Sequence, residues 1–138
     1  MRCFYTNANS VLGKMQELRQ RMQGYDVVGI AESWATEEIR DAELSVDGYN
    51  LFRLDRERKA GGGLLIYVND RLDSSLSVEM MDSKFKEALW CNIRTDIGFV
   101  MIGLCYRSPT SSSTNNDQLL EMFQAALNQP PRNDHRRF

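Results

Sequence analysis

Three apolar runs in this sequence end on polar residues whose types could work together. "CFYTN" ends on Asn7, "VVGIAES" carries Glu32 just past its last apolar residue, and "MIGLCYR" ends on Tyr106 and Arg107. A lone carboxylate beside an amide suits Mg²⁺, a hard cation that takes oxygen ligands and is often held by one or two carboxylates while keeping several waters. A phenol could donate a hydrogen bond to a phosphate oxygen, and a guanidinium could add charge there. Each position taken singly also reads as an ordinary polar strand end at the surface. Together they weigh more, because strand ends and the loops after them are where α/β proteins mount reactive groups on a rigid support.

A second group is cationic. The segment "RLDRERK" (53–59) sets Arg53, Arg56, Arg58 and Lys59 against Asp55 and Glu57, and the stretch from Arg132 is also net basic. Both read either as solvated chain or as phosphate contacts. The formal net charge of −2 excludes a protein that coats nucleic acid by bulk electrostatics, which needs many Lys and Arg facing phosphates. Cys3, Cys91 and Cys105 each sit inside an apolar run, with no CxxC or Cys/His spacing. All three are expected as reduced core residues.

The elements that must position these groups follow from hydrophobic periodicity. "RCFYT" reads as a first strand. Asn9 or Ser10 is expected to cap a helix over 11–22, with Val11, Leu12, Met15, Leu18 and Met22 forming its apolar stripe and Gly24 ending it. Asp26 to Ala31 is a nearly continuous apolar strand, and the order strand, helix, strand favours a parallel pair with a crossover. A helical turn over Thr36 to Arg40 precedes the strand "GYNLFRL". "AGGG" then punctuates before "LLIYV", which lacks alternation and so should be covered on both faces. "SLSVEMM", "EALWCNI" and "FVMIGLCY" read as a meander, with "RTDIG" as a hairpin turn. A last helix is expected over 115–128, capped by Asn115 or Asn116, with Leu119, Leu120, Phe123 and Leu127 on its buried face. Two prolines in "NQPPRNDHRRF" stop it.

A chain of 138 residues fits one domain, here 1–128, followed by a basic tail over 129–138. The start has too short an apolar run for a signal-peptide core, and no run approaches the ~20 residues of a membrane span. An intracellular protein without membrane contact is therefore expected.

"YTNANSV", "GKMQELRQ", "YDVVGIAESW", "GYNLFRLDRERKAGGGLLIYV" and "IGLCYRSP" resemble, in order and spacing, the first half of the endonuclease domain of non-LTR retrotransposons of the jockey-like kind. That domain belongs to the endonuclease/exonuclease/phosphatase superfamily. The resemblance implies an α/β fold: a partial four-layer α/β/β/α sandwich of the deoxyribonuclease kind, with a mixed sheet, about two main helices and its second half missing. It also implies a Mg²⁺-dependent DNA-nicking activity. Glu32 would be the metal-binding glutamate, Asn7 the asparagine supporting metal and phosphate, and Tyr106 the tyrosine on the scissile phosphate. Arg53, Arg56, Arg58 and Arg107 would be contacts to DNA phosphates. Acting on chromosomal DNA would place the chain in the nucleus.

The sequence departs from that pattern after the last helix. No Gly-Asp-Phe-Asn type strand and no Ser-Asp-His type loop stands in the chain, and Asp134-His135 comes too early to replace the latter. The chain is therefore expected to be inactive alone, to hold Mg²⁺ weakly or not at all, and to self-associate through an exposed sheet face. A non-enzymatic nucleic-acid or protein binding module, or a phosphatase of the same superfamily, are the alternative readings.

Overall fold

The computed structural model describes residues 1–56, 62–107 and 112–129. Strand β1 (Cys3–Asn7) is followed by helix α1 (Met15–Met22), strand β2 (Val27–Ala31), the short helix α2 (Asp41–Leu44), β3 (Tyr49–Leu54) and β4 (Leu64–Asn69). Then come β5 (Asp73–Leu76), the short helix α3 (Val78–Met81), β6 (Ala88–Thr95), β7 (Gly98–Cys105) and helix α4 (Ser113–Leu127). One sheet has the order β1-β2-β4-β3, the other β5-β6-β7. β1 and β2 are parallel, with Asn7 opposite Ala31, as a crossover through α1 requires. All other pairs are antiparallel.

The two sheets lie face to face. Val27, Ala31, Leu64, Ile66 and Val68 of the first pack on Leu89, Cys91 and Ile93 of the second. On the first sheet's outer face Val28, Ile30, Leu65 and Tyr67 meet Leu18, Met22 and Leu44 from α1 and α2. On the second sheet's outer face Ala88 and Trp90 meet Met80 and Met122 from α3 and α4. The result is the four-layer α/β/β/α sandwich. It explains why "VVGIA" and "LLIYV" lack alternation: both faces of β2 and β4 are buried, as in any sheet covered on each side.

Several local expectations are corrected. The first helix begins at Met15 with Lys14 at its N-cap position, because the backbone of 8–11 is still tied to the β2 side: Ala8 N–H donates to Ala31 O, Ser10 N–H to Glu32 O and Val11 N–H to Ser33 O. Asn9 and Ser10, held at positive φ, are thus loop residues and not caps. Thr36 to Arg40 makes a single turn, Ile39 N–H to Thr36 O, and the helix lies just beyond it. Only the first two residues of "SLSVEMM", Ser75 and Leu76, are strand. Pairing ends at Leu76 opposite Cys91, and Ser77 hands the chain to α3, which buries Met80.

The last helix is capped by Ser112, whose hydroxyl accepts from Asn115 N–H at 3.0 Å. Met122 is its buried residue, flanked by Leu119 and Ala126, while Leu120, Phe123 and Leu127 are exposed. Of the cysteines, Cys91 is buried and Cys105 half-buried as expected, but Cys3 is exposed, because it stands on the edge strand β1. Outer helices cover both sheets, and exposure falls on edge strands: Tyr5 on β1 is 58% and Leu76 on β5 43% exposed, and among the described residues β7 pairs only with β6. No described helix is long and apolar enough to cross a membrane.

Candidate metal and phosphate site

The sandwich brings the ends of β1, β2 and β7 to one edge. Asn7 closes β1, Glu32 follows β2 and Tyr106 follows β7. Asn7 Nδ2 donates to Glu32 Oε2 at 3.0 Å, and Asn7 Oδ1 accepts from Asn9 N–H at 3.1 Å. The amide is therefore fixed at both ends, with its NH₂ aimed at the carboxylate. Tyr106 sits in the electrostatic field of Glu32. Partial burial, then the Glu32 carboxylate, then the Glu87 carboxylate push its phenol above the ordinary tyrosine value. It stays a hydrogen-bond donor throughout the neutral range.

Glu32 is held in an unusual conformation. Its φ is 54°, and the other non-glycine residues with positive φ among those described, Asn9, Ser10 and Trp34, belong to the same pair of loops. Such strain of order 1–3 kcal/mol per residue persists only where surrounding contacts over-determine it, and it clusters at functional sites. The contacts are present. Lys14 Nζ donates to Ala8 O at 2.7 Å and Asn9 O at 3.3 Å, bracing the loop after β1. On the other flank, Ser33 N–H and Trp34 N–H donate to Gly63 O and Gly62 O.

The cationic residues divide. Arg53 is engaged on three sides: Nε to Asp55 Oδ1 at 2.8 Å, Nη1 to Asp41 Oδ1 at 2.8 Å and Nη2 to Thr36 O at 3.0 Å. That guanidinium ties α2 and the turn before it to β3. Arg56 lies over the Trp34 ring, 6.0 Å from its centroid, next to the Glu32 loop. Arg107, exposed, donates from Nε to Asn116 Oδ1 at 2.8 Å, which fixes the strand end against α4. Arg58, Lys59 and the Asp134-His135 pair lie outside the described residues.

Three residues near the site escaped the sequence reading. Glu87 stands one step before β6, where its carbonyl accepts from Tyr106 N–H at 2.9 Å, and desolvation raises its carboxyl above the usual range although the residue as a whole is exposed. Its parity with Leu89, which faces the other sheet, is the signal that could have found it. Lys14 looked like an ordinary polar helix residue. Trp34 has its indole N–H buried without a hydrogen-bond partner among the described residues.

One carboxylate with an amide holding one of its oxygens fits a Mg²⁺ ion that keeps most of its waters. A fully protein-held ion does not fit: among the described residues no group of three or more His, Cys, Asp or Glu converges.

Comparison with solved structures gives the fold its relatives. The endonuclease domain of TRAS1, a telomere-specific non-LTR retrotransposon, matches with a TM-score of 0.63 over 91% of this chain and 52% of its own, at 15% identity. The fold is that of the endonuclease/exonuclease/phosphatase superfamily. A second structure with this endonuclease/exonuclease/phosphatase fold, the AP endonuclease LMAP from Leishmania major, matches with a TM-score of 0.58 over 90% of this chain and 44% of its own, again at 15% identity. The chain spans about half the length of the solved structures it matches. No family model and no curated protein matches the sequence.

Proposed function

We propose that this chain is part of a Mg²⁺-dependent DNA-nicking endonuclease of a non-LTR retrotransposon, and that its 138 residues supply one side of the active cleft. The observation that carries this reading is the hydrogen bond from Asn7 to Glu32 across the ends of paired parallel strands, with Tyr106 in the field of the same carboxylate. Glu32 would hold the cation. Asn7 orients Glu32, with its own oxygen turned to Asn9. Bound Mg²⁺ would neutralise charge developing on the phosphate oxygens. Tyr106, kept protonated, donates to a phosphate oxygen, and Arg107 and Arg56 place positive charge along the approach. Arg53, with two carboxylates and a carbonyl already bound, serves the scaffold.

Hydrolysis also needs a positioned water and donors on the leaving side, and no Asp-x-Asn strand or Ser-Asp-His loop stands in these residues to supply them. These residues alone therefore bind a cation weakly and do not cut DNA. Weak self-association through the exposed inner face of β1 accompanies this, since edge strands invite strand addition. A module that only binds nucleic acid through the basic 53–59 stretch is less well supported, because Arg53 in that stretch is occupied within the fold.

The test is a Mn²⁺ titration followed by electron paramagnetic resonance, alongside nicking of supercoiled plasmid in Mg²⁺. Mn²⁺ binding that disappears in Glu32→Gln, with no nicking by the wild-type chain, is the expected result. Binding unchanged in Glu32→Gln overturns the assignment of Glu32, and nicking by the wild-type chain overturns the incomplete cleft.

A further inference from the structure

Ser33, Gly62 and Gly63 carry no charged group, yet they close on the segment that presents Glu32. That segment is gripped from two sides. From the β1 side Ser10 N–H and Val11 N–H donate to Glu32 O and Ser33 O, at 2.8 and 2.9 Å. From the β4 side Gly63 O and Gly62 O accept from Ser33 N–H and Trp34 N–H, at 3.1 and 3.0 Å. Ser33 is fully buried, and its Oγ accepts from Ala35 N–H at 3.2 Å.

Gly63 has φ of +89°, and a methyl group built on it would overlap Ser33 Oγ, with Trp34 N only 3.2 Å away. The atoms that would have to yield therefore include backbone of the loop that sets the direction of Glu32. A chain already held in the left-handed region at Glu32 (φ 54°) and Trp34 (φ 59°) has few other conformations in which to absorb the shift.

We propose that Gly63 and Ser33 are positioning residues, forming with the loop after β1 a backbone clamp that fixes the left-handed Glu32 and so aims its carboxylate at the cation. This rests on the reading of Glu32 as the cation-holding residue. The third glycine of "GGG" is then a device for metal affinity more than a strand punctuator.

The experiment is Mn²⁺ titration of the 138-residue chain by electron paramagnetic resonance, with circular dichroism melts to restrict the comparison to folded protein. Gly63→Ala is expected to weaken Mn²⁺ binding by about tenfold or more, the range in which supporting residues act on metal sites. Adding Ser33→Ala recovers part of that loss, because the oxygen met by the new methyl is gone. Ser33→Ala alone, which keeps Gly63 but loses the bond to Ala35 N–H, weakens binding several-fold. Wild-type affinity in folded Gly63→Ala, or a double variant no better than Gly63→Ala, overturns the clamp. Should Gly63→Ala not fold, wild-type affinity in Ser33→Ala overturns it instead. Binding that survives Glu32→Gln sinks the cation reading itself, a result distinct from binding that is lost in Glu32→Gln but indifferent to position 63.

Discussion

Asn7 uses both ends of its amide between two loops, accepting from Asn9 N–H and donating to Glu32. Removing it should disturb both the carboxylate and the loops it joins. Asn7→Ala is expected to weaken Mn²⁺ binding about tenfold, and a urea titration should show a loss of about 1–3 kcal/mol, the net worth of the two hydrogen bonds removed. A second outcome concerns the thiols. Cys3 is exposed, whereas burial pushes the Cys91 thiol up to about 11, and the thiolate is the reactive form. Treatment with a thiol-specific chromogenic disulfide at pH 8 should label Cys3 quickly and Cys91 only after denaturant is added. The strand-end positions of Glu32, Asn7 and Tyr106 were legible because a polar residue at the end of an apolar run must emerge at the sheet's edge, and parallel pairing brings the first two together. Arg53 was not, because its partners Thr36 and Asp41 come from a turn and a short helix whose docking no local pattern encodes. Cys3 misled for a related reason, since an apolar run cannot reveal that its strand lies at an edge.

At the scale of elements, strands were read from the sequence more reliably than helix faces. α4 offers two apolar stripes at helical spacing, Leu119/Met122/Ala126 and Leu120/Phe123/Leu127. The second is bulkier, yet the first is chosen because Met122 fits against Trp90: the indole Nε1 donates to Met122 Sδ at 3.4 Å. Met122→Ala should cost about 2–5 kcal/mol, as for other buried large-to-small changes, while Leu127→Ala, at a residue 85% exposed, should stay within about 0.5 kcal/mol. Denaturant melts of the two variants decide this. The same contact depends on Gly103, directly opposite Trp90 on β7, where a methyl group would run into the indole ring. Gly103→Ala should therefore lose about 1–3 kcal/mol through overpacking and blue- or red-shift the Trp90 emission. The helix over 11–22 failed at its start because long-range backbone bonds to the Glu32 segment outcompeted capping by Asn9 or Ser10, a competition invisible to periodicity.

For the molecule as a whole, the buried titratable groups point to one pH response. Burial raises Cys91, and it raises Tyr67, whose hydroxyl donates to Leu44 O at 2.7 Å. Burial, with the Asp26 carboxylate second, raises Tyr49 as well. Each group holds its proton in the folded state at pH values where the unfolded chain has begun to release it. Their contribution to stability is complete below the unfolded thiol value of about 8.5 and is lost as pH rises through the folded values. Stability measured by urea titration should be level near neutrality and decline steadily above about pH 9. A rise in stability across that range would contradict the burial of these groups.

The pairing of β1 with β2 has a further consequence in time. Asn7 and Glu32 are 25 positions apart and are joined by the one crossover through α1, while Tyr106 belongs to a hairpin made much later. Contacts between nearby segments close fastest, and domains take shape as the nascent chain leaves the ribosome. The Asn7–Glu32 contact is therefore expected to close before Tyr106, carried in by the β6-β7 hairpin, joins it.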